Sequence, residues 1–288
     1  MIVRVGDGLG NQMFQYAFYL AIKNHYKGVD VKWDMGNCVK RPLHNGFELE
    51  RIFGLKDYIC DDKLHTFQDH FGFIMAFLNR RGKKTLRIAN EYDEILLGYH
   101  EDVFKQKNKK LCFDGYWQSE DYFKDVKGQV RKAFEFPKIT DEKNLSTLEQ
   151  MRNSESVGIH VRRGNYLELS RYTNLGEIGY YDRALQYMNE HLSKPRYFIF
   201  SNDIEWCKKN LKVGSDAVFV TWNVDENSYI DMQLMSCCKH NIIANSTFSW
   251  WGAWLNKNPN KIVLAPKRFF TIDSMDESRM IPDEWIRL

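Results

Sequence analysis

Short apolar runs alternate with amphipathic segments through the second half of the chain. The apolar runs are typical of buried strands and occupy 157–161, 196–201, 217–221, 241–245 and 261–265. The segments between them space their apolar residues as helices do and occupy 181–192, 204–211, 228–238 and 248–255. Because strands that alternate with helices form right-handed βαβ units, this pattern predicts a doubly wound parallel sheet.

The first half opens in the same way and then loses its regularity. A strand at 1–5 leads through a glycine-rich turn into a helix at 11–26, and a second strand follows at 29–34. Further along, the pattern predicts a helix at 63–78 and a solvated basic turn at 79–84. The opening elements extend the α/β pattern to this half of the chain.

A polar segment at 138–156 separates the two regular regions. It follows Pro137, is rich in charged residues and lacks strand character, and a chain of 288 residues is long enough for two hydrophobic cores. We therefore predict an α/β protein of two Rossmann-like domains, residues 1–145 and 146–288. The last helix is assigned to the second domain, with the option that it packs back on the first.

Composition and charge exclude several classes of protein. The 41 Lys and Arg against 38 Asp and Glu argue against a surface that binds nucleic acid throughout. No apolar run approaches the roughly 20 residues of a membrane span, and the strand at 1–5 leaves no room for a signal peptide. The six cysteines lack CxxC spacing and the eight histidines lack HxxH pairs, so we predict reduced thiols and no zinc site. We expect a cytoplasmic protein, either free or peripheral at the inner membrane.

Candidate ligand-binding residues follow the strands of the second half. Arg162 and Arg163 follow the first strand, and Ser246 and Thr247 follow the fourth at the start of a helix. Ligands lie beyond the C-terminal ends of parallel strands, and both arginine forks and helix N-termini bind phosphate oxygens, so this edge predicts a diphosphate site. The alternatives are a surface ion pair and helix capping. No DxD motif, phosphate loop or GxSxG elbow occurs, so the diphosphate would be neutralised without a metal.

Three further residues at these strand ends allow two interpretations each. His160 either faces the ligand or is a core histidine, and its residue type favours the core. Asn202 and Asp203 either contact a nucleobase or ribose or cap the helix at 204–211, and the sequence favours the cap. The tryptophans of the helix at 248–255 are interpreted mainly as core.

The glycine-rich turn of the first half resembles a dinucleotide fingerprint. Gly6, Gly8 and Gly10 join a strand to a helix, and Asp34 ends the next strand where a ribose-binding acid would lie. Asn11 replaces the third glycine of the GxGxxG pattern. The turn therefore allows a nucleotide-dependent oxidoreductase as an alternative function, and a tight turn without a ligand as a second alternative.

Five sequence blocks resemble the α-1,2-fucosyltransferases of glycosyltransferase family 11. They are GLGNQMFQYA at 8–17, HVRRGNY at 160–166, DMQLMS at 231–236, NSTFSWWGAWL at 245–255 and IPDEWI at 281–286. The resemblance implies a two-domain protein of the GT-B type that needs no bound metal or other cofactor. It implies inverting transfer of L-fucose from GDP-β-L-fucose to the 2-hydroxyl of a terminal β-galactoside. Lactose, N-acetyllactosamine, a type 1 chain and an O-antigen-type glycan are candidate acceptors, with contacts expected within 40–135.

The resemblance also implies roles for individual residues. Arg162 matches the arginine that binds the β-phosphate of the donor, His160 matches a histidine near the guanine, and Asn11 matches an asparagine that lines the cleft from the acceptor side. These three are the catalytic candidates. Nucleotide-sugar binding is assigned to Arg162, Arg163, Asn202, Asp203, Asn245, Ser246, Thr247, Phe248, Ser249, Gly8 and Gly10.

The chain departs from the family pattern at two positions. Asp7 stands where the family usually has Gly, and Asn165 stands where it usually has Asp. An amide cannot accept a proton at neutral pH, so Asn165 is not assigned as the general base. Glu168, Asp7 and Asp182 are substitutes without further support. A sugar-nucleotide or glycan-binding protein with weak catalysis is therefore a third functional hypothesis.

Overall fold

The chain divides into two compact units, Met1–Glu135 and Phe136–Leu288. A computed structural model describes residues 1–36, 38, 44–60, 91–94, 98–164, 168–273 and 275–288. The domain boundary predicted from the sequence, 145/146, lies within the helix Glu142–Arg152. That helix belongs to the second unit because Met151 packs in its core. The helix predicted at 63–78 and the basic turn at 79–84 lie outside the described residues.

The N-terminal unit is built on a parallel sheet. Its elements are β1 (Ile2–Arg4), α1 (Leu9–His25), β2 (Lys32–Asp34), α2 (Leu49–Phe53), β3 (Tyr58–Ile59), β4 (Glu91–Asp93), a 3₁₀ helix (Glu101–Lys105), β5 (Cys112–Asp114), a 3₁₀ helix (Glu120–Val126) and α3 (Lys127–Ala133). The sheet order is β3-β2-β1-β5-β4, and the strand pairings among these described elements are parallel. The predicted opening strand, helix and second strand are confirmed.

Helix α1 is the central helix of this unit. Phe18 on its inner face is fully buried, stacks on Trp117 with ring centroids 4.1 Å apart and meets the edge of Phe113 on β5. Ala17 and Ile22 are also fully buried. Burial of a large apolar side chain such as Phe18 or Ile22 stabilises the fold by a few kcal/mol, so these contacts fix the helix on the sheet.

The C-terminal unit carries a larger parallel sheet. Its elements are α4 (Glu142–Arg152), β6 (Glu155–Val161), α5 (Tyr180–His191), β7 (Pro195–Ser201), α6 (Ile204–Asn210), β8 (Val218–Val220), a 3₁₀ helix (Asp225–Asn227), α7 (Tyr229–Cys237), β9 (His240–Ile242), α8 (Thr247–Leu255), β10 (Val263–Ala265) and β11 (Ile286–Arg287). The order β11-β10-β9-β6-β7-β8 is the dinucleotide-binding order with β6 as its first strand. The strands and helices predicted for this half are confirmed, with ends that shift by a few residues.

Both faces of this sheet are covered by helices. On β7, Ile199 points to the core cluster that contains α5 and α6 residues, whereas Phe198 and Phe200 point to the cluster that contains α4 and α7 residues. Helix α8 is the last helix of the described chain and connects β9 to β10. The chain ends in β11, which pairs with β10, rather than in a helix. The two units confirm the predicted α/β class with Rossmann-like domains, which are the building blocks of the GT-B type.

The tryptophans of α8 belong to the core of this unit. Trp250, Trp251 and Trp254 are almost completely buried, as the sequence predicted. In the part of the chain that the structure describes, no helix combines the length and the apolarity that crossing a membrane requires.

Candidate active site

The strand order of this sheet reverses at β6 and β9, and an open parallel sheet forms a crevice at the C-terminal ends of such strands. From β6 the chain moves outward to β7 and β8 and then returns to the other side of β6 at β9. Ligands of open parallel sheets bind where the strand order reverses in this way. Arg162 directly follows β6, and Ser246 lies after β9 at the start of α8. The topology therefore places the residues that the sequence assigned to a diphosphate at the same edge of the sheet.

The N-terminus of α8 has the properties of an anion site. Ser246 occupies the N-cap position, but its side chain makes no capping hydrogen bond. Backbone N–H groups of a first helical turn lack intrahelical partners and carry the positive end of the helix dipole. Thr247 and Phe248, in that turn, are half-buried and reach the surface. The structure thus does not support capping as the role of the Ser246 hydroxyl, and phosphate binding remains its predicted role.

His160 is a buried histidine beneath this turn. Its side chain is 7% exposed, its ring centroid lies 5.6 Å from that of Phe248, and its Nδ1 has no hydrogen-bond partner within the described chain. Burial, together with the smaller effect of the positive charge of Arg162, lowers the pKa of His160 to about 3. The imidazole is therefore neutral near pH 7 and packs as the core interpretation expected.

The buried His160 makes the stability of this unit depend on pH. Between the folded pKa of about 3 and the ordinary value of 6.5, the unfolded chain binds a proton here that the folded chain does not. The free energy of unfolding should therefore fall as the pH falls through this window, by up to about 1.4 kcal/mol per pH unit. Urea unfolding at several pH values in this window measures that dependence. The free energy of unfolding should change less steeply with pH in His160→Asn than in the native protein. Equal slopes in the two proteins would contradict the burial of a neutral imidazole.

Arg163, Asn202 and Asp203 lie together at the ends of β6 and β7. Arg163 Nε donates to Asp203 Oδ2 over 3.0 Å, and the backbone N–H of Arg163 donates to Asn202 Oδ1. Asp203 Oδ1 accepts from the N–H of Trp206 as the N-cap of α6. The capping interpretation is thus confirmed for Asp203. The side chains of Asn202 and Asp203 also bind Arg163.

Asn245 and Ser249 are buried within the phosphate-binding turn that the resemblance implied. Asn245 Nδ2 donates to the carbonyl oxygens of Thr173 and Phe269, each at 3.0 Å. Ser249 Oγ accepts from the N–H of Ala244, and the residue is fully buried. These two side chains hold the turn in place, whereas Thr247 and Phe248 reach the surface.

The glycine-rich turn of the N-terminal unit is packed closely by the protein itself. A Cβ atom on Gly8 would lie 2.9 Å from the His44 ring, and Gly10 is buried in the first turn of α1. Asn11 Oδ1 accepts from Gln118 Nε2 at 2.9 Å. Asp34 is fully buried and accepts from the N–H of Gly36. A carboxylate buried in this way cannot reach a ribose, which argues against the oxidoreductase alternative.

The structure adds a carboxylate that the sequence analysis did not single out. Glu94 follows β4, and its Oε2 accepts from the N–H groups of Tyr116 and Trp117. Burial raises the pKa of Glu94 to about 7. Trp117 has a positive φ of 55°, so the carboxylate holds a strained turn at the end of β5. The contact joins residues more than 20 positions apart, and no local sequence pattern signals it.

The three substitute bases proposed from the sequence lie in different parts of the described chain. Asp182 lies in the first turn of α5 and pairs with Lys212 on the surface, and Glu168 is exposed. Asp7 belongs to the N-terminal unit and has a positive φ of 70°. Asn165 lies outside the described residues. Among the residues that are described, no His, Cys, Asp and Glu side chains form a group able to hold a metal ion.

A cavity of about 440 Å³ lies at the end of β8, away from the point where the strand order reverses. Trp222, Asn223 and Tyr229 line it. Trp222 Nε1 donates to Asn144 Oδ1, and Asn223 Nδ2 donates to Asn144 and to Asp231. The Trp222 and Asn223 groups that make these hydrogen bonds are thus satisfied within the protein.

Comparisons with known proteins show the family of the chain. The model of glycosyl transferase family 11 matches residues 86–288. The α-1,2-colitosyltransferase of Escherichia coli is 32% identical over 100% of this chain and 98% of its own length. Human galactoside α-(1,2)-fucosyltransferase 1 is 29% identical over 54% of this chain and 46% of its own length. The solved structure of NodZ α-1,6-fucosyltransferase covers 88% of this chain and 91% of its own, with 16% identity and a TM-score of 0.49. The chain belongs to glycosyl transferase family 11.

Proposed function

We propose that this glycosyltransferase transfers L-fucose from GDP-β-L-fucose to the 2-hydroxyl of a terminal β-galactoside, with inversion to an α-1,2 linkage. One observation carries the proposal. Arg162 directly follows β6, and α8, which begins at Thr247, follows β9, and these are the two strands at which the sheet order reverses. Their combined positive character suits the diphosphate of a nucleotide sugar. The α-1,2 linkage in the names of the bacterial and human relatives supports the regiochemistry.

The proposed chemistry is a single displacement. The acceptor oxygen forms a bond to C1 of fucose as the bond from C1 to the β-phosphate oxygen breaks, and the electron pair of that bond leaves with GDP. Arg162 and the first-turn N–H groups stabilise the negative charge that develops on the departing GDP. Because the transition state at an anomeric carbon is oxocarbenium-like, the hydroxyl proton leaves late to solvent or a carboxylate. No carboxylate is assigned to that step.

A colitosyl group is the second candidate for the transferred sugar. The bacterial relative that covers 100% of this chain is named for colitose rather than for fucose. The crevice between β6 and β9 would hold the GDP portion of either donor in the same way.

The test is a matrix of donors and acceptors. Purified protein is incubated with GDP-fucose or GDP-colitose and with lactose, N-acetyllactosamine, a type 1 chain or an O-antigen-type glycan. GDP release is followed, and the linkage of each product is determined by NMR. We expect acceptor-dependent GDP release with at least one galactoside and an α-1,2 linkage in the product. GDP binding without acceptor-dependent release would favour a binding protein. Tryptophan fluorescence that responds to NAD(H) but not to GDP would favour the oxidoreductase.

A further inference from the structure

Two side chains at the start of α6, the carboxylate of Asp203 and the indole of Trp206, hold the Arg163 side chain. Its Nε lies 3.0 Å from Asp203 Oδ2, and the two side chains are 17% and 35% exposed. Its guanidinium carbon lies 4.3 Å from the centroid of the Trp206 ring. A planar guanidinium that stacks on an indole and pairs with a carboxylate has little remaining freedom. The charge of Arg163 is thus largely engaged within the protein.

The backbone of Arg163 is held as firmly as its side chain. Its N–H donates to Asn202 Oδ1 at 2.9 Å, and its carbonyl oxygen accepts from Asn202 Nδ2 at 3.2 Å. Gly164 follows with a positive φ of 62°, and a Cβ there would lie 2.8 Å from Asn202 Nδ2. A side chain at Gly164 would therefore both strain the backbone and displace the Asn202 amide.

A second glycine closes the other side of the stack. A Cβ on Gly176 would lie 2.8 Å from the Trp206 ring and 3.2 Å from Arg163 Nη1. The Trp206 indole and the Arg163 guanidinium thus have no room to move toward the segment before α5. Arg163 thus belongs to an assembly with Asn202, Asp203 and Trp206 that is closely packed on both sides, unlike a chance ion pair on the surface.

The assembly constrains the backbone of the neighbouring residue, Arg162. Val161 is the last residue of β6 and pairs with Ser201, so Arg162 is the first residue beyond the ladder of sheet hydrogen bonds. Its backbone direction is therefore set by what holds Arg163. We propose that Arg163 is a positioning residue: Asn202, Asp203 and Trp206 fix it against α6 so that Arg162 presents its guanidinium to the diphosphate. This inference rests on the proposed function, since it requires that Arg162 binds the donor.

The competing role is a direct contact of Arg163 with phosphate, and the two roles predict opposite signs for one substitution. Asp203→Asn keeps an oxygen that can accept from the Trp206 N–H, so the helix cap remains, but it removes the negative charge that pairs with Arg163. If Arg163 positions Arg162, the variant should bind GDP more weakly and turn over about tenfold more slowly, because small misplacements of a charge-stabilising group are costly. If Arg163 contacts phosphate, release from Asp203 should leave GDP binding unchanged or make it tighter.

Substitutions of Trp206 provide a second test, in which a conservative variant should restore the activity that the alanine variant loses. Trp206→Ala removes the ring under Arg163, whereas Trp206→Phe keeps a smaller aromatic face. We expect Trp206→Ala to lower kcat by about tenfold and Trp206→Phe to recover most of it. Glu205→Ala is the matched control on the same helix, because the Glu205 side chain is exposed and pairs with Lys208 on the surface. Urea unfolding of each variant separates a loss of kcat from a loss of folded protein.

Double variants that also carry Arg162→Ala test whether the effects of Asp203→Asn and Trp206→Ala on turnover depend on Arg162. If it does, Asp203→Asn and Trp206→Ala should lower turnover in the native background and have no further effect in the Arg162→Ala background. Full additivity of the effects, tighter GDP binding in Asp203→Asn, or unchanged kcat in Trp206→Ala would each overturn the positioning role. If Arg162→Ala itself retains full turnover, the donor-binding assignment in the proposed function fails instead.

Discussion

Arg162→Ala is expected to reduce turnover by about 10² or more, because the variant loses the guanidinium that stabilises charge on the departing GDP. Arg162→Lys should recover only part of this loss, since an ammonium group keeps the charge but lacks the planar fork that binds two phosphate oxygens. The measurement is the initial rate of GDP release with saturating donor and the best galactoside. Single-turnover kinetics would show whether the chemical step is the one that slows.

The control for this prediction is Arg152→Ala. Arg152 ends α4 and is exposed, and that end of the helix lies near the start of β6, at the opposite edge of the sheet from Arg162. The substitution removes the same side chain and the same charge from the same unit without touching the crevice. Turnover within about twofold of the native rate is expected, since isolated surface charges contribute little. A similar loss in both variants, or near-native turnover in Arg162→Ala, would contradict the role of Arg162.

Asn245→Asp is expected to destabilise the C-terminal unit by at least about 3 kcal/mol, although the two side chains have the same shape. Asn245 is 3% exposed, and its Nδ2 donates to two backbone carbonyl oxygens. A carboxylate in its place would direct a buried oxygen at both carbonyls and would have no hydrogen to donate. Urea unfolding near pH 7 measures the loss, with the native protein as reference.

Asn189→Asp provides the matched control for that substitution. Asn189 is exposed on α5, and its Oδ1 accepts from the hydroxyl of Tyr197 at 2.8 Å. A carboxylate oxygen accepts the same hydrogen bond, so the change in unfolding free energy should stay within about 0.5 kcal/mol. Equal stability of the two variants would show that the Asn245 amide does not hold the turn before α8.

The alternation of apolar runs and amphipathic segments was sufficient to predict the C-terminal unit. From β6 to β9, each strand of its sheet is short and is followed by a helix, so local periodicity carried the information. The long charged segment before β6 was harder to interpret. Helix α4 begins at Glu142 within it and buries few residues, so its membership of the second unit depends on packing rather than on pattern.

The chemical role of neighbouring residues could not be predicted in the same way. Arg162 and Arg163 have the same side chain and adjacent positions, and the sequence assigned both to phosphate. The contacts of Arg163 depend on the register of β6 with β7, which brings Asn202 and Asp203 beside it. Trp206 received no role from the sequence because its contact with Arg163 joins residues far apart in the chain.

The sequence by itself determined the α/β class, the order of elements in the C-terminal unit, the family and the edge of the sheet at which a diphosphate would bind. These follow from periodicities and motifs that are local along the chain. Only the tertiary structure decided which polar groups at that edge are already paired within the protein, and that His160 is buried and neutral. Pairing and burial depend on contacts between distant segments, and those contacts exist only once the strands have aligned.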